Sequence, residues 1–264
     1  MNAGSASLRA VFKPGRCAFI PYVMAGDPDI DTTRNILRAL QTAGADAIEL
    51  GIPYGDPLAD GPTIAAAGVR GLAGGATPKR VLELVEEMAD SLPPIVLFTY
   101  FNPVYQCGVQ SFARDAAHAG ACGAIVPDVT LEESAELREA FTACGLAMPL
   151  LIAPSTPRER AERLAAASSG FVYVVSRLGV TGAGRTVDLV PVRSQVAMLR
   201  AVTQMPLAVG FGISSANHIR EIAPLVDGVI VGSALIDAYA GKRGVEAADA
   251  VKRFAVSLLP HQVH

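Results

Sequence analysis

The chain has 264 residues, with 25 acidic against 22 basic side chains and hydrophobic residues at 51%. That balance excludes intrinsic disorder and, with a pI near 5.8 and no long basic block, argues against a nucleic-acid-binding surface. No apolar run approaches the ~20 residues of a membrane-spanning helix, and the first residues, MNAGSASLRAVFKPGR, lack a hydrophobic signal core, so a cytoplasmic protein is expected.

Taken in chain order, eight short apolar, β-branched runs alternate with longer helical patterns. The runs are CAFIPYV from Cys17, AIEL from Ala47, IVLFTY from Ile95, GAIVPD from Gly123, MPLLIA from Met148, FVYVV from Phe171, PLAVGFG from Pro206 and GVIVGS from Gly228. Between them lie amphipathic stretches such as RNILRALQTAGA, PKRVLELVEEMAD, LEESAELREAFTACG and PRERAERLAAA. Strands alternating with helices indicate a parallel sheet. Eight such units in a chain of this length predict an α/β fold, a (β/α)8 TIM barrel filling residues 1–264 as a single domain. An open, doubly wound sheet is the alternative. Echoes between AGADAIELG, AGACGAIVPD and PLVDGVIVGS, and between MPLLIA and MPLAVG, mark similar units without a strict period.

Spacing is uneven in two places. Between Ala47 and Ile95 the chain holds GIPYGDPLADG and then two helical patterns, so an extra helix is expected after strand 2. Between Phe171 and Pro206 it holds the glycine-rich SRLGVTGAGRTVDLV. Loops that follow barrel strands lie on the face that carries active sites, so long loops 2 and 6 are candidate lids.

Glu49 is flanked by Ile48 and Leu50 in a strand that should be buried. A buried carboxylate has its pKa raised, which suits general acid–base work near neutral pH; a glutamate paired with an arginine at the barrel mouth is the structural alternative. Asp60 follows in the proline-rich GIPYGDPLADGP, ahead of Pro62, which suits the first turn of a helix. Near that helix's positive end Asp60 serves either chemistry or, like Asp56, simple capping. Three glycine-rich segments follow the last three strands: GVTGAG (Gly179 to Gly184), GFGIS (Gly210 to Ser214) and VGSA (Val231 to Ala234). Backbone N–H groups in such turns favour an anion, and barrels often bind phosphate there. None matches GxGxxG or a P-loop, so a dinucleotide or ATP is not indicated.

The remaining reactive residues narrow the chemistry. The four lysines (Lys13, Lys79, Lys242, Lys252) avoid predicted strand ends, which disfavours a Schiff base. The four cysteines (Cys17, Cys107, Cys122, Cys144) show no metal-ligand spacing and are expected to be buried thiols in a reducing compartment. His118 and His218 fall in helical patterns, so no metal site and no serine–histidine triad is expected.

The segment IELGIPYGDPLADGPTI closely resembles the signature of the α subunit of tryptophan synthase. AFIPYVMAGDP, TYFNPVY, VYVVSRLGVTG, VGFGIS and GVIVGSA resemble that family's other segments in order and spacing, so the resemblance covers essentially the whole chain. It implies a (β/α)8 barrel with extra helices and retro-aldol cleavage of indole-3-glycerol phosphate to indole and glyceraldehyde 3-phosphate. It implies Glu49, Asp60 and Tyr173 as catalytic residues, and Gly182, Gly212, Gly232 and Ser233 as phosphate-binding positions. Tyr22, Ile64, Phe98 and Phe211 would line the indole pocket, and Thr181 would belong to the lid. It further implies a β subunit in an α2β2 complex, with Pro53 and Asp56 at the interface and pyridoxal phosphate (PLP) in the partner. This chain would hold no cofactor. Two positions depart from the family's pattern: Gly55 stands where many members have serine, and Thr130 where many have proline. The competing readings are a stand-alone indole-releasing lyase, a phosphate-binding barrel isomerase, and a barrel that only activates its partner.

Overall fold

The computed structural model describes residues 3–176, 189–210 and 212–259. Its strands are β1 (Ala18–Met24), β2 (Ile48–Gly51), β3 (Ile95–Phe98), β4 (Gly123–Ile125), β5 (Leu151–Ile152), β6 (Val172–Val175), β7 (Leu207–Gly210) and β8 (Gly228–Val231). The helices are α1 (Ala3–Ala10), α2 (Ile30–Thr42), α3 (Pro62–Ala73), α4 (Pro78–Met88), α5 (Phe101–Cys107), α6 (Val109–His118), α7 (Ala135–Cys144), α8 (Arg158–Ala167), α9 (Leu189–Arg200), α10 (Ala216–Ile222), α11 (Ser233–Tyr239) and α12 (Gly244–Leu258).

All paired strands are parallel, in the order β4-β3-β2-β1-β8-β7-β6-β5. The two ends of that row meet. Gly123 bridges Ala147 on the approach to β5, with Ala124 N–H donating to Ala147 O and Ala147 N–H to Cys122 O, both at 2.9 Å. The sheet is therefore a closed barrel and not the open, doubly wound alternative. β5 is shorter than the MPLLIA run because serine hydroxyls take over its ladder. The N–H groups of Met148 and Leu150 donate to Ser169 Oγ (2.7 Å) and Ser168 Oγ (2.9 Å).

Helices on the outside cover the strands, and nearly every strand residue is buried, which is why the strands read as continuous apolar runs rather than alternating ones. Local signals set the helix starts. Asp29 accepts from Thr32 N at 2.7 Å to open α2, and Thr77 with Pro78 opens α4. The extra helix after β2 is α3. α1, which seats Leu8 in the core at the N-terminal end of the barrel, and α5 escaped the sequence reading, whereas α10 and α11 follow the glycine-rich GFGIS and VGSA segments, each of which is expected to lead into a helix. α5 has seven residues, too few to display a helical period. The chain's last helix is tied to its first units by Gly244 N–H on Thr32 Oγ1 (2.9 Å) and by Arg243 on Asp29 (3.0 Å).

The thiols correct the sequence expectation. All four are free, but only Cys122 is buried; Cys17 and Cys144 are half-buried, and Cys107, ending the outer helix α5, is exposed. Cysteine's apolar character does not override the face on which a helix end presents it. His118 and His218 lie on α6 and α10 as expected. Among the described residues no helix is long and apolar enough to cross a membrane, and no group of three or more His, Cys, Asp or Glu could hold a metal.

Candidate active site

One pocket opens at the C-terminal end of the strands, with an empty volume of about 580 Å³ including its mouth. It brings together Tyr22 of β1, Glu49 of β2, Phe98 of β3 and Tyr173 of β6 with Asp60 and Ile64 from loop 2 and α3, and with Gly212, Gly232 and Ser233 from the last two loops. Loops that are more than 150 residues apart in the chain converge here because barrel closure returns β8 to the side of β1.

Glu49 is 2% exposed, and among the described residues its Oε2 has no hydrogen-bond partner and its carboxylate no ion pair. Among the described residues, then, no arginine pairs with it as the structural alternative would require. Burial, reinforced by the charge of Asp60, pushes its pKa up to about 8. Asp60 is half-buried, and burial raises it to about 6, opposed by a hydrogen bond from the Tyr100 hydroxyl. Capping does not explain Asp60: Gly61 occupies the N-cap of α3 and Pro62 its first position, while Asp56 is exposed. The acidic pair thus consists of one carboxyl in an apolar wall and one held by a phenol.

Tyr100 was missed by the sequence reading. It is buried, and its hydroxyl also accepts the Ala59 N–H at 3.1 Å, so it fixes both residues of the Ala59–Asp60 corner. Its place at the end of the IVLFTY run was the available signal. A chain of rings supports it: Tyr54–Tyr100 at 5.5 Å, Phe98–Tyr100 at 6.4 Å and Tyr22–Phe98 edge-on at 5.8 Å between centroids.

Tyr22 and Tyr173 lie in equivalent ways. The Tyr22 hydroxyl sits over Gly51 on β2, and the Tyr173 hydroxyl over Gly210 on β7; a Cβ at either glycine would collide with the phenol above it. Glycine on the following strand lets each ring fold down across the barrel mouth. Both phenols are held far above their ordinary pKa, first by burial and then by nearby carboxylates, Asp60 and Glu49 for Tyr22 and Glu49 for Tyr173. They remain neutral donors.

The opposite end of the pocket is built from backbone. Gly212 has φ +87°, and Gly232 is the N-cap of α11, without a side-chain cap, followed by Ser233. A Cβ at Gly232 would reach ordinary contact with Tyr22 (3.6 Å) and Ile64 (3.7 Å), so this end abuts the apolar wall. Ile213, Ser214, Ile230 and Ala234 complete the lining and were not singled out individually from the sequence, although Ile213 and Ser214 lie within GFGIS and Ala234 within VGSA. Pro53 is buried against α3, where it faces Gly71. Thr181, Gly182 and Phe211 lie outside the described residues.

Comparison with known proteins follows the same outline. The sequence profile of the family described as tryptophan synthase alpha chain matches residues 8–261. The tryptophan synthase alpha chain of Picosynechococcus sp. is 46% identical over 260 residues, 98% of each chain, and that of Gloeobacter violaceus is 50% identical, covering 84% of this chain and 81% of its own. Among solved structures, Mycobacterium tuberculosis tryptophan synthase superposes with a TM-score of 0.86 at 37% identity, over 97% of this chain and 95% of that one. A Pyrococcus furiosus tryptophan synthase complex gives 0.83 at 34% identity, over 92% and 98%.

Proposed function

The chain belongs to the tryptophan synthase alpha chain family, and from that premise we infer that it cleaves indole-3-glycerol phosphate to indole and glyceraldehyde 3-phosphate in L-tryptophan biosynthesis, as one domain spanning residues 1–264. The observation that carries the reading is the pocket itself: two carboxyls of raised pKa face an apolar wall at one end, and glycine-rich backbone forms the other.

Indole is a poor carbanion leaving group. Protonation at its C3 creates an indolenine that accepts the electrons of the breaking carbon–carbon bond. Glu49, protonated near pH 7, gives that proton; as a carboxylate it then takes the proton of the side-chain hydroxyl, whose oxygen becomes the aldehyde of glyceraldehyde 3-phosphate. The bond electrons return to the ring, and Glu49 ends the cycle protonated. Asp60, ionised, accepts the indole N–H and stabilises the positive charge developing there. Tyr22, Phe98 and Ile64, with Phe211, enclose the indole. Tyr173 contributes a neutral hydroxyl beside Glu49. Gly212, Gly232 and Ser233, with Gly182, hold the phosphate, and Thr181 belongs to the lid that covers it. Holding the phosphate orients the reacting bond.

The same reading makes this chain the α subunit of an α2β2 complex, placed in the cytoplasm, with PLP belonging to the β subunit. Leu58 and the exposed Asp56 in loop 2, and Tyr105 on α5 after β3, stand out to solvent, Leu58 at 74% and Tyr105 at 63%, which suits a docking partner. Pro53, packed under α3, would shape loop 2 for that contact from below. The deciding experiment mixes the purified chain with indole-3-glycerol phosphate, with and without a β subunit. Indole release enhanced by the partner is expected, and no indole under either condition would overturn the reading.

A further inference from the structure

Three elements of the pocket wall converge on one buried carboxylate that the mechanism does not use. Asp27, in the loop after β1, is 2% exposed. Arg70, in the last turn of α3, holds it with a two-pronged pair: Nε donates to Oδ1 at 2.7 Å and Nη2 to Oδ2 at 2.8 Å. Tyr239, the last residue of α11, is buried, and its hydroxyl lies against Asp27 and the Met24 backbone, outside the geometry of an aligned hydrogen bond. α3 and α11 pack on each other and on β1. At their other ends the same two helices carry the opposed halves of the site: α3 is entered from Asp60 and places Ile64, and α11 begins at Gly232 and Ser233.

We propose that Asp27 is a positioning residue, which through Arg70 registers α3 against α11 and so sets Asp60 and Ile64 relative to the phosphate-holding end of the pocket. The proposal rests on the retro-aldol reading of that pocket. A substrate anchored by its phosphate presents its indole at a fixed distance, so a displacement of α3 moves Asp60 off the ring nitrogen, and misplacement by ~1 Å is able to cost ~10²-fold in rate. The geometry suits the task. A planar guanidinium fork on a buried carboxylate fixes orientation as well as distance, whereas lysine keeps the charge and loses the fork. Close seating on the same loop reinforces it: a Cβ at Gly71, next to Arg70, would fall 2.6 Å from Ala25 O. Arg70 itself is about one-third exposed, so its replacement does not open the core.

The test compares the full-length parent with Arg70→Lys and Arg70→Met. Three quantities are measured: single-turnover indole release, the Kd for glycerol 3-phosphate, and amide exchange in residues 62–66. Both variants should bind glycerol 3-phosphate within about twofold of the parent, because the α11 end is untouched. Cleavage should fall about tenfold in Arg70→Met and less in Arg70→Lys, and exchange at 62–66 should quicken in the same order. Parental cleavage in folded Arg70→Met, or a loss of phosphate affinity as large as the loss of rate, would overturn the proposal. If Arg70→Met does not fold, Arg70→Lys decides by the same comparison. A parent that releases no indole defeats the functional reading alone; parental exchange at 62–66 in the variants then overturns the positioning role, and faster exchange with unchanged phosphate affinity upholds it.

Discussion

The two ends of the pocket are made from different material. At the carboxyl end, Glu49 projects from a buried strand and Asp60 from a proline-rich corner pinned by Tyr100, and the protein's work there is to move pKa values. At the glycine end no titratable side chain lines the pocket among the described residues; Gly212, Gly232 and Ser233 offer backbone and a hydroxyl. An acid must be tuned by burial, whereas an anion needs N–H donors and room. The first end should therefore be sensitive to charge at constant shape, and the second to shape and charge with little dependence on pH.

The largest effect is expected at Glu49. Glu49→Gln preserves size and removes the proton donor, so substrate should bind nearly as in the parent while cleavage falls by ~10²–10⁴-fold. Single-turnover rates beside substrate Kd values check this, and a variant keeping more than a tenth of parental cleavage would return Glu49 to a structural role. The same substitution reports on stability. The Glu49 pKa is raised from about 4.5 to about 8 in the folded chain, so the unfolded chain loses the proton first. Folded stability from this group is complete below pH 4.5 and declines as pH rises towards 8. Glu49→Gln lacks that decline, so its melting temperature should gain on the parent's between pH 5 and pH 9; parallel curves would contradict the burial argument.

Asp60→Asn comes next, with a loss of ~10²–10³-fold, since one oriented charge is removed while an amide oxygen still accepts the indole N–H. Because the Asp60 charge helps to raise Glu49, the alkaline limb of the residual activity should move to lower pH. In the parent, activity should fall below pH about 6, where Asp60 takes up a proton, and above about 8, where Glu49 loses one. An alkaline limb unmoved in Asp60→Asn would disconnect the two carboxyls.

At the glycine end, Gly232→Asp should weaken glycerol 3-phosphate binding at least tenfold through like-charge repulsion. Gly232→Ala should be far milder, because its Cβ meets neighbours only at 3.6 Å and beyond. Equal affinities for all three proteins, by calorimetry, would remove the phosphate from this end. The smallest effect is expected from Tyr100→Phe, a loss of about tenfold or less. Here the acid limb should shift to higher pH, because the lost hydrogen bond had lowered the Asp60 pKa. A pH profile identical to the parent's would mean that Tyr100 acts only as packing.

The fold was legible because its signals are local and repeated. Strand runs such as IVLF and GVIV are short, continuous and apolar, and Asp29, Thr77 and Pro78 punctuate the helices that follow. The short α5 was not legible, since it completes barely two turns. Glu49 stood out as a charge in an apolar run, and the glycine-rich turns by composition. Tyr100 and Arg70 did not stand out, since a tyrosine at a strand end and an arginine in a helix look ordinary until their partners are known.

Residue order by itself determined the eightfold alternation, the extra length after β2 and β6, and the presence of a carboxyl and of phenols within or beside the apolar runs. Hydrophobic period and turn residues act over a few positions, so a linear reading captures them. Tertiary structure alone decided that the sheet closes through Gly123 and Ala147, that no cation neutralises Glu49 among the described residues, that a phenol from β3's end holds Asp60, and that Arg70 meets Asp27 43 positions away in the chain. A pKa, a hydrogen bond and an ion pair depend on what lies within a few ångströms, and that neighbourhood exists only once the barrel has closed.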